Sequence, residues 1–360
     1  MSRAFNFSAG PAALPEPVLR RAQAEILEWG GARASVMEVS HRGQDFVECA
    51  AAAEQALRRL LAVPSNYRVL FLQGGATQHF AQIPMNIAHG GSTDYIVTGH
   101  WGEKAVAEAR KVCTVRVVAS SVDDAYRSIP DLNAVDFDPA AAYVHYTPNE
   151  TIHGVEFHQI PDVGNAPLVA DASSTILSRP LDVSRFGLIY AGAQKNIGPS
   201  GLVLLIVRED LLARAPDSLP AILRYSAQAE NDSMLNTPNT FAWYLAGLVF
   251  EWLEGEGGLT VIADRNQRKA DMLYAAIDGS GGFYTNPVVP AARSRMNVPF
   301  VLRDAAMDKA FLAESEAAGL LSLKGHRAIG GMRASLYNAM PIEGVQALVA
   351  FMADFARRYG

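Results

Sequence analysis

The chain has 360 residues, of which 49% are hydrophobic and 19% charged, and its formal net charge is −6. That balance excludes a disordered or fibrous chain and describes a soluble globular enzyme, long enough for a large core and two domains. The negative charge argues against nucleic acid as the main partner while leaving room for a local basic pocket around an anionic metabolite.

The N-terminal stretch MSRAFNFSAGPAALPEP lacks an uninterrupted apolar signal core. Helical patterns over 17–29 and 45–61 precede the first strand pattern, 68–72. Helices at 78–88 and 103–111 bracket a strand at 95–98, and further strands follow at 114–119, 143–146, 168–170, 188–191 and 202–207. This alternation is the signature of a parallel α/β sheet. The stretch TFAWYLAGLVFEWLE, 240–254, is apolar almost all round and predicts a buried helix. A long helix over 260–278 then leads to a strand at 297–302, a helix near 307–318 and a strand at 331–336 before a final helix, which suggests a smaller α+β unit. Cys49 and Cys113, the only cysteines, lie far apart with no C-x-x-C pair. They fit a reducing compartment, with neither a disulfide framework nor a structural zinc site, so no metal is expected.

The most informative position is Lys195. Between Arg185 and Arg208 the run FGLIYAGAQKNIGPSGLVLLIV, 186–207, carries no other charge. The run is long enough to suggest a membrane helix, but Lys195, Pro199 and several glycines break it into two strand-sized pieces. A cytoplasmic protein is therefore expected, with no membrane partner. An ammonium in apolar surroundings must be neutralised, paired or used chemically. Small neighbours leave room for a reactant, and a lysine of depressed pKa in a dry pocket suits Schiff-base chemistry.

Other polar residues fall where an α/β sheet gathers ligands, beyond the carboxyl ends of its strands. Asp171 ends the strand in PLVADASS, and a carboxylate and a lysine on neighbouring strand ends could hold opposite sides of the pyridoxal phosphate ring. Taken alone, Asp171 reads equally as a helix cap or one half of a buried ion pair. Gly74 and Gly75 open a helix start at Ala76-Thr77, where backbone N–H groups and the helix dipole favour a phosphate. This is neither a P-loop nor a G-x-G-x-x-G turn. Trp101 offers a flat face for a ring, or a core tryptophan.

The segments FNFSAGPAALP, SHRGQDF, QGGATQHF, NETIHGVE, ADASS, GAQKNIGPSG, NTPNTFAWYL and GGMRASLYNAMP together resemble the phosphoserine aminotransferase family over essentially the whole chain. The resemblance implies a fold-type I pyridoxal-phosphate enzyme of class V. Its large domain, 16–258, would hold a mostly parallel seven-stranded sheet, and a smaller C-terminal α+β domain would span 259–360, with residues 1–15 packed near it. It further implies a homodimer with shared active sites. The reaction would be ping-pong transfer of an amino group from L-glutamate to 3-phosphooxypyruvate, giving O-phospho-L-serine and 2-oxoglutarate in serine biosynthesis. Some relatives also serve 4-phosphooxy-threonine formation in vitamin B6 synthesis, a role these residues neither require nor exclude.

By the same resemblance, Lys195 forms the imine with the cofactor, Asp171 pairs with the pyridine nitrogen, Trp101 stacks on the ring, and Thr151 bonds on its oxygen side. Ala76, Thr77 and Gln194 belong to the cofactor phosphate, joined by Asn236 and Thr237 of the partner subunit. Arg333 is implied as the fork for the substrate α-carboxylate. His41, Arg42 and His326 are implied at the distal phosphate or γ-carboxylate. Where some members carry a basic residue, this chain has Thr77. Other readings are a cysteine desulfurase-like enzyme, which needs a mobile catalytic cysteine, an alanine–glyoxylate-type aminotransferase, which has no use for a second basic clamp, and a non-catalytic cofactor-binding protein.

Overall fold

Strands that are apolar at every position bury both faces, and such strands build sheets covered by helices on either side. The computed structural model of the chain describes residues 3–360. Its main sheet has seven strands: β1 (Tyr67–Gly74), β2 (Ser92–Val97), β3 (Thr114–Ser120), β4 (Val144–Tyr146), β5 (Leu168–Asp171), β6 (Leu188–Gly192) and β7 (Gly201–Arg208). They lie in the order β1-β7-β6-β5-β4-β2-β3. All contacts are parallel except those of β7, which runs against both β6 and β1. The connection from β6 to β7, residues 193–200, is the one that carries Lys195.

Alternation along each strand divides the core in two. Val69, Phe71, Ile189, Leu204 and Ile206 face one helical layer, and Leu70, Leu72, Leu188, Leu205 and Val207 face the other. The first layer contains α1 (Glu16–Glu25), α2 (Gln44–Leu61) and α5 (Thr240–Gly255). The second contains α3 (Ala76–Ile87) and α4 (His100–Ala109). The apolar helix α5 is buried from Ala242 through Phe250, with Glu251 and Glu254 left to pair with Arg21 and Arg59.

A second core surrounds the three strands β8 (Tyr284–Thr285), β9 (Asn297–Leu302) and β10 (Met332–Ser335), with α7 (Asp308–Ala317) and α8 (Ile342–Tyr359). Helix α6 (Gly258–Asp278) joins the two cores: Leu259 and Ile262 pack in the first, and Ala270, Leu273 and Ile277 in the second. The N-terminal segment belongs to the second core, because Phe7 is buried there and Phe5–Asn6 pair in parallel with Leu320–Leu321.

The expected helix over 17–29 ends at Glu25 instead. Past that point the chain turns through Gly30 at φ +57°, and the Trp29 N–H bonds to the Ala34 carbonyl rather than to a helical partner. Among the described residues, no helix is long and apolar enough to cross a membrane.

Candidate active site

Lys195 and Asp171 meet because β5 and β6 are hydrogen-bonded neighbours whose carboxyl ends open on the same edge. Asp171 is the last residue of β5 and is buried. It accepts the Ser173 N–H at 3.1 Å and the Ser173 hydroxyl at 2.5 Å, while that hydroxyl accepts the Gly192 N–H at 3.0 Å. The carboxylate is thereby fixed from both strands. Burial pushes its pKa up, and the nearby Lys195 charge and the Ser173 bonds hold it down.

The Lys195 ammonium donates to the Thr151 hydroxyl at 2.7 Å and stands 6.0 Å from the centre of the Trp101 ring. Burial pulls the ammonium down to about 8, with Asp171 and Glu150 opposing that pull and Arg333 adding to it. An amine held near neutrality can both attack a carbonyl and carry a proton. The turn around it is held by the N-terminal segment, where the Ala12 N–H bonds the Gln194 carbonyl at 2.8 Å.

Arg333 comes from β10, across the cleft. Its guanidinium reaches the Thr151 carbonyl at 3.4 Å, so it faces the same opening as Lys195. Burial lowers its pKa, which is the expected consequence of holding a cation where an anion is to be received. His326 lies beside this fork: its ring centre is 5.9 Å from that of His100, and burial, Arg333 and His100 all disfavour its charged form.

Ala76 and Thr77 open α3 behind Gly75, with no side-chain cap on the helix. The preceding Gly74 has φ +111°, a conformation that a side chain would strain. The uncapped N–H groups of this helix start are donors without an intrahelical partner.

His41 and Arg42 stand apart from this group, while Asn236 and Thr237 lie beside Gln73 and Gly74 at the end of β1. Asn236 and Thr237 are exposed, with the Thr237 carbonyl bonded by the Gln73 side chain. His41 and Arg42 lie in the loop before α2, where the Arg42 N–H bonds the Ser40 hydroxyl at 3.2 Å. Among the described hydrogen bonds of the single chain, none ties these four residues to Lys195, Asp171 or Arg333.

Sequence reasoning missed two buried groups at the centre. The Glu150 carboxylate accepts the N–H groups of Trp101 and Gly102. The Tyr337 hydroxyl donates to the Ala9 carbonyl at 3.0 Å and accepts from Asn297 at 3.2 Å. A charged residue between Asn149 and Thr151 in NET was the available signal for the first.

The class-V aminotransferase family model matches residues 4–348. The phosphoserine aminotransferase of Pseudomonas aeruginosa is 60% identical over 359 residues, 99% of each chain. That of Stenotrophomonas maltophilia is 59% identical over 361 residues, 100% of each. The solved phosphoserine aminotransferase from Bacillus circulans subsp. alkalophilus superposes with a TM-score of 0.97 at 48% identity, covering 99% of both chains. This chain belongs to the phosphoserine aminotransferase family. It is an aminotransferase of the pyridoxal-phosphate-dependent class, as its sequence resemblance implied. An alanine–glyoxylate aminotransferase from Nostoc shares the fold, with a TM-score of 0.75, at only 17% identity, so the likeness to that alternative is one of architecture alone.

The residues present suit the cofactor of the class. Trp101 Nε1 is buried without a hydrogen-bond partner, an unpaired donor directed by a ring already next to Lys195. With the uncapped start of α3 it makes a donor set that wants an anionic acceptor, while Asp171 supplies the carboxylate and Lys195 the amine.

Proposed function

We propose that this chain transfers the amino group of L-glutamate to 3-phosphooxypyruvate, forming O-phospho-L-serine and 2-oxoglutarate. The observation that carries the reading is the joining of Lys195, Thr151 and Arg333 in one cleft, with Asp171 on the neighbouring strand end. In it, pyridoxal 5'-phosphate would be held by Lys195, Asp171, Trp101 and Thr151, with Ala76, Thr77 and Gln194 at its phosphate. When bound, that cofactor supplies an electrophilic carbon and a protonated ring that accepts the electrons of the broken Cα–H bond.

The chain's own residues do the rest. The Arg333 fork binds the α-carboxylate in bidentate fashion and so orients the Cα–H bond. The Lys195 amine, once free, takes the Cα proton at Nζ and returns it on the other side of the reaction, as a base of pKa near the working pH can. Asp171 would hold the ring nitrogen of the cofactor through its carboxylate, whose direction Ser173 fixes. Thr151 orients Lys195 Nζ through its hydroxyl.

His41, Arg42 and His326 form the distal clamp in this reading, and Asn236 and Thr237 complete the phosphate site of the other subunit of a homodimer. The exposed positions of Arg42, Asn236 and Thr237 in one chain are what a site shared between two subunits needs. The units 16–258 and 259–360 then act as the two walls of the cleft. Free Cys49 and Cys113 accord with a cytoplasmic enzyme.

The test is Lys195→Ala, assayed for 2-oxoglutarate formation from glutamate with 3-phosphooxypyruvate as acceptor. Turnover is expected to disappear while non-covalent cofactor binding persists; turnover at the wild-type rate would refute the assignment.

A further inference from the structure

Glu150 is a fully buried carboxylate that the reaction as derived above does not use. Its two oxygens accept the Trp101 N–H at 3.0 Å and the Gly102 N–H at 2.8 Å. Both donors sit in the first turn of α4, among the N–H groups that no helix can satisfy internally. The approach is close enough that a Cβ on Gly99 would stand 2.6 Å from the Glu150 Cδ, so the helix start is built around this carboxylate. An amide could not replace it, because its NH2 group would face one of the two donors and leave that donor unpaired.

Three charges then share the site: Glu150 directly precedes Thr151, whose hydroxyl holds the Lys195 ammonium at 2.7 Å, and Asp171 ends the strand next to β6. The pKa of Glu150 is pushed by burial up to about 7, against the pull of its two backbone bonds, with Asp171 raising it further and Lys195 lowering it. Conversely, Asp171 and Glu150 both favour the charged form of Lys195, and Arg333 opposes them. Burial pushes the phenols of Tyr126 and Tyr190 upward, so they stay neutral and add no charge to the site. The positive end of α4 supplies what a buried anion needs to persist beside Asp171.

We propose that Glu150 is a positioning residue with two effects: it fixes Trp101 through the main chain of α4, and its negative charge, together with that of Asp171, sets the protonation of Lys195. The role of Lys195 rests on the function proposed above, but the charge coupling does not, and it can be read without cofactor or substrate.

The experiment follows the reaction of Lys195 with a small acylating reagent as a function of pH in cofactor-free protein, quantified by peptide mass spectrometry. Wild type is compared with Glu150→Gln, which removes the charge, and Glu150→Asp, which keeps it. Folding is checked by thermal unfolding, and Glu150→Met provides a second neutral variant where the glutamine variant does not fold. The midpoint of Lys195 acylation is expected to fall by about 1 pH unit in a folded neutral variant, the size of a lost neighbouring charge. It should stay close to wild type with aspartate. An unchanged midpoint in a folded neutral variant overturns the proposal. Failure of the transaminase reading would show separately, as absent turnover in the wild-type holoenzyme.

Discussion

The chemistry of this site depends on a few side chains held where water would not leave them. Arg333 is half-buried, and among the described residues its guanidinium makes one hydrogen bond, to the Thr151 carbonyl. Replacing it with alanine removes the proposed bidentate partner of a carboxylate common to both amino acids. The KM for glutamate and for O-phosphoserine should both rise, by about 100-fold or more, as expected for the loss of a desolvated charge pair of roughly 3 kcal/mol. Steady-state kinetics with both substrates checks this, and a rise for one substrate alone would remove Arg333 from the shared end. Arg42→Ala is different: it should raise KM for O-phosphoserine with cofactor affinity unchanged, since Arg42 belongs to the proposed distal clamp. Lys195 was legible because an isolated charge in a 186–207 run of apolar residues has no ordinary explanation. Glu150 was not, because what it caps begins at His100, far away in sequence, and a lone Glu before Thr151 carries no periodic signal.

At the level of elements, the strands were readable, and so were the ends of α2 and α5 to within a residue, while α1 and α4 were misplaced. Most strand cores appeared as a β-branched or apolar run that the sheet extended by a residue or two, as in β1, read as 68–72 and found as Tyr67–Gly74. By contrast β4, read as 143–146, is shorter at Val144–Tyr146, and β2, read as 95–98, shifts to Ser92–Val97. Helix α1 stopped short at Glu25 because a turn stabilised by Trp29 and Ala34 outcompeted a helical pattern that no cap terminated. Helix α4 illustrates a start that no local sequence signal marks, since its cap comes from Glu150 across the fold. Gly99→Ala should therefore lower stability by about 1–3 kcal/mol, the usual cost of forcing a methyl group into filled space. The added Cβ meets a buried carboxylate rather than a flexible tip. Urea unfolding measures this, and in a double-mutant cycle the cost should shrink in the Glu150→Ala background, where the obstacle is gone. Equal costs in both backgrounds would show that the clash is not with Glu150.

For the whole molecule, the joint between the two cores matters most. Lys269 on α6 is completely buried and donates to the carbonyls of Leu336, Tyr337 and Met340 at 2.8, 2.9 and 3.0 Å. The turn it clamps carries Asn338, whose N–H bonds Asn196 at 3.0 Å, next to Lys195. Nothing in the sequence distinguished this lysine from the solvated charges of an amphipathic helix. Lys269→Met leaves the buried Leu336 and Met340 carbonyls without a donor, while that of Tyr337 keeps the Met340 N–H, and should cost roughly 2 kcal/mol or more in unfolding free energy. A loss within a few tenths of that for a surface lysine would show that water replaces the clamp. The proposed sharing of sites between subunits has its own consequence. Mixing inactive Lys195→Ala with inactive Asn236→Ala/Thr237→Ala chains should restore activity, because a mixed dimer rebuilds one intact site. No recovery after subunit exchange would place both sets of residues in the same chain.

The most direct measurement is a half-reaction without acceptor. Holoenzyme mixed with glutamate alone should release about one equivalent of 2-oxoglutarate per chain and stop, as ping-pong transfer requires. O-Phosphoserine alone should likewise yield about one equivalent of its keto acid, while alanine and cysteine release none. Release from alanine or cysteine but not from O-phosphoserine would contradict the account, because the proposed distal clamp of His41, Arg42 and His326 would then not be selecting the substrate.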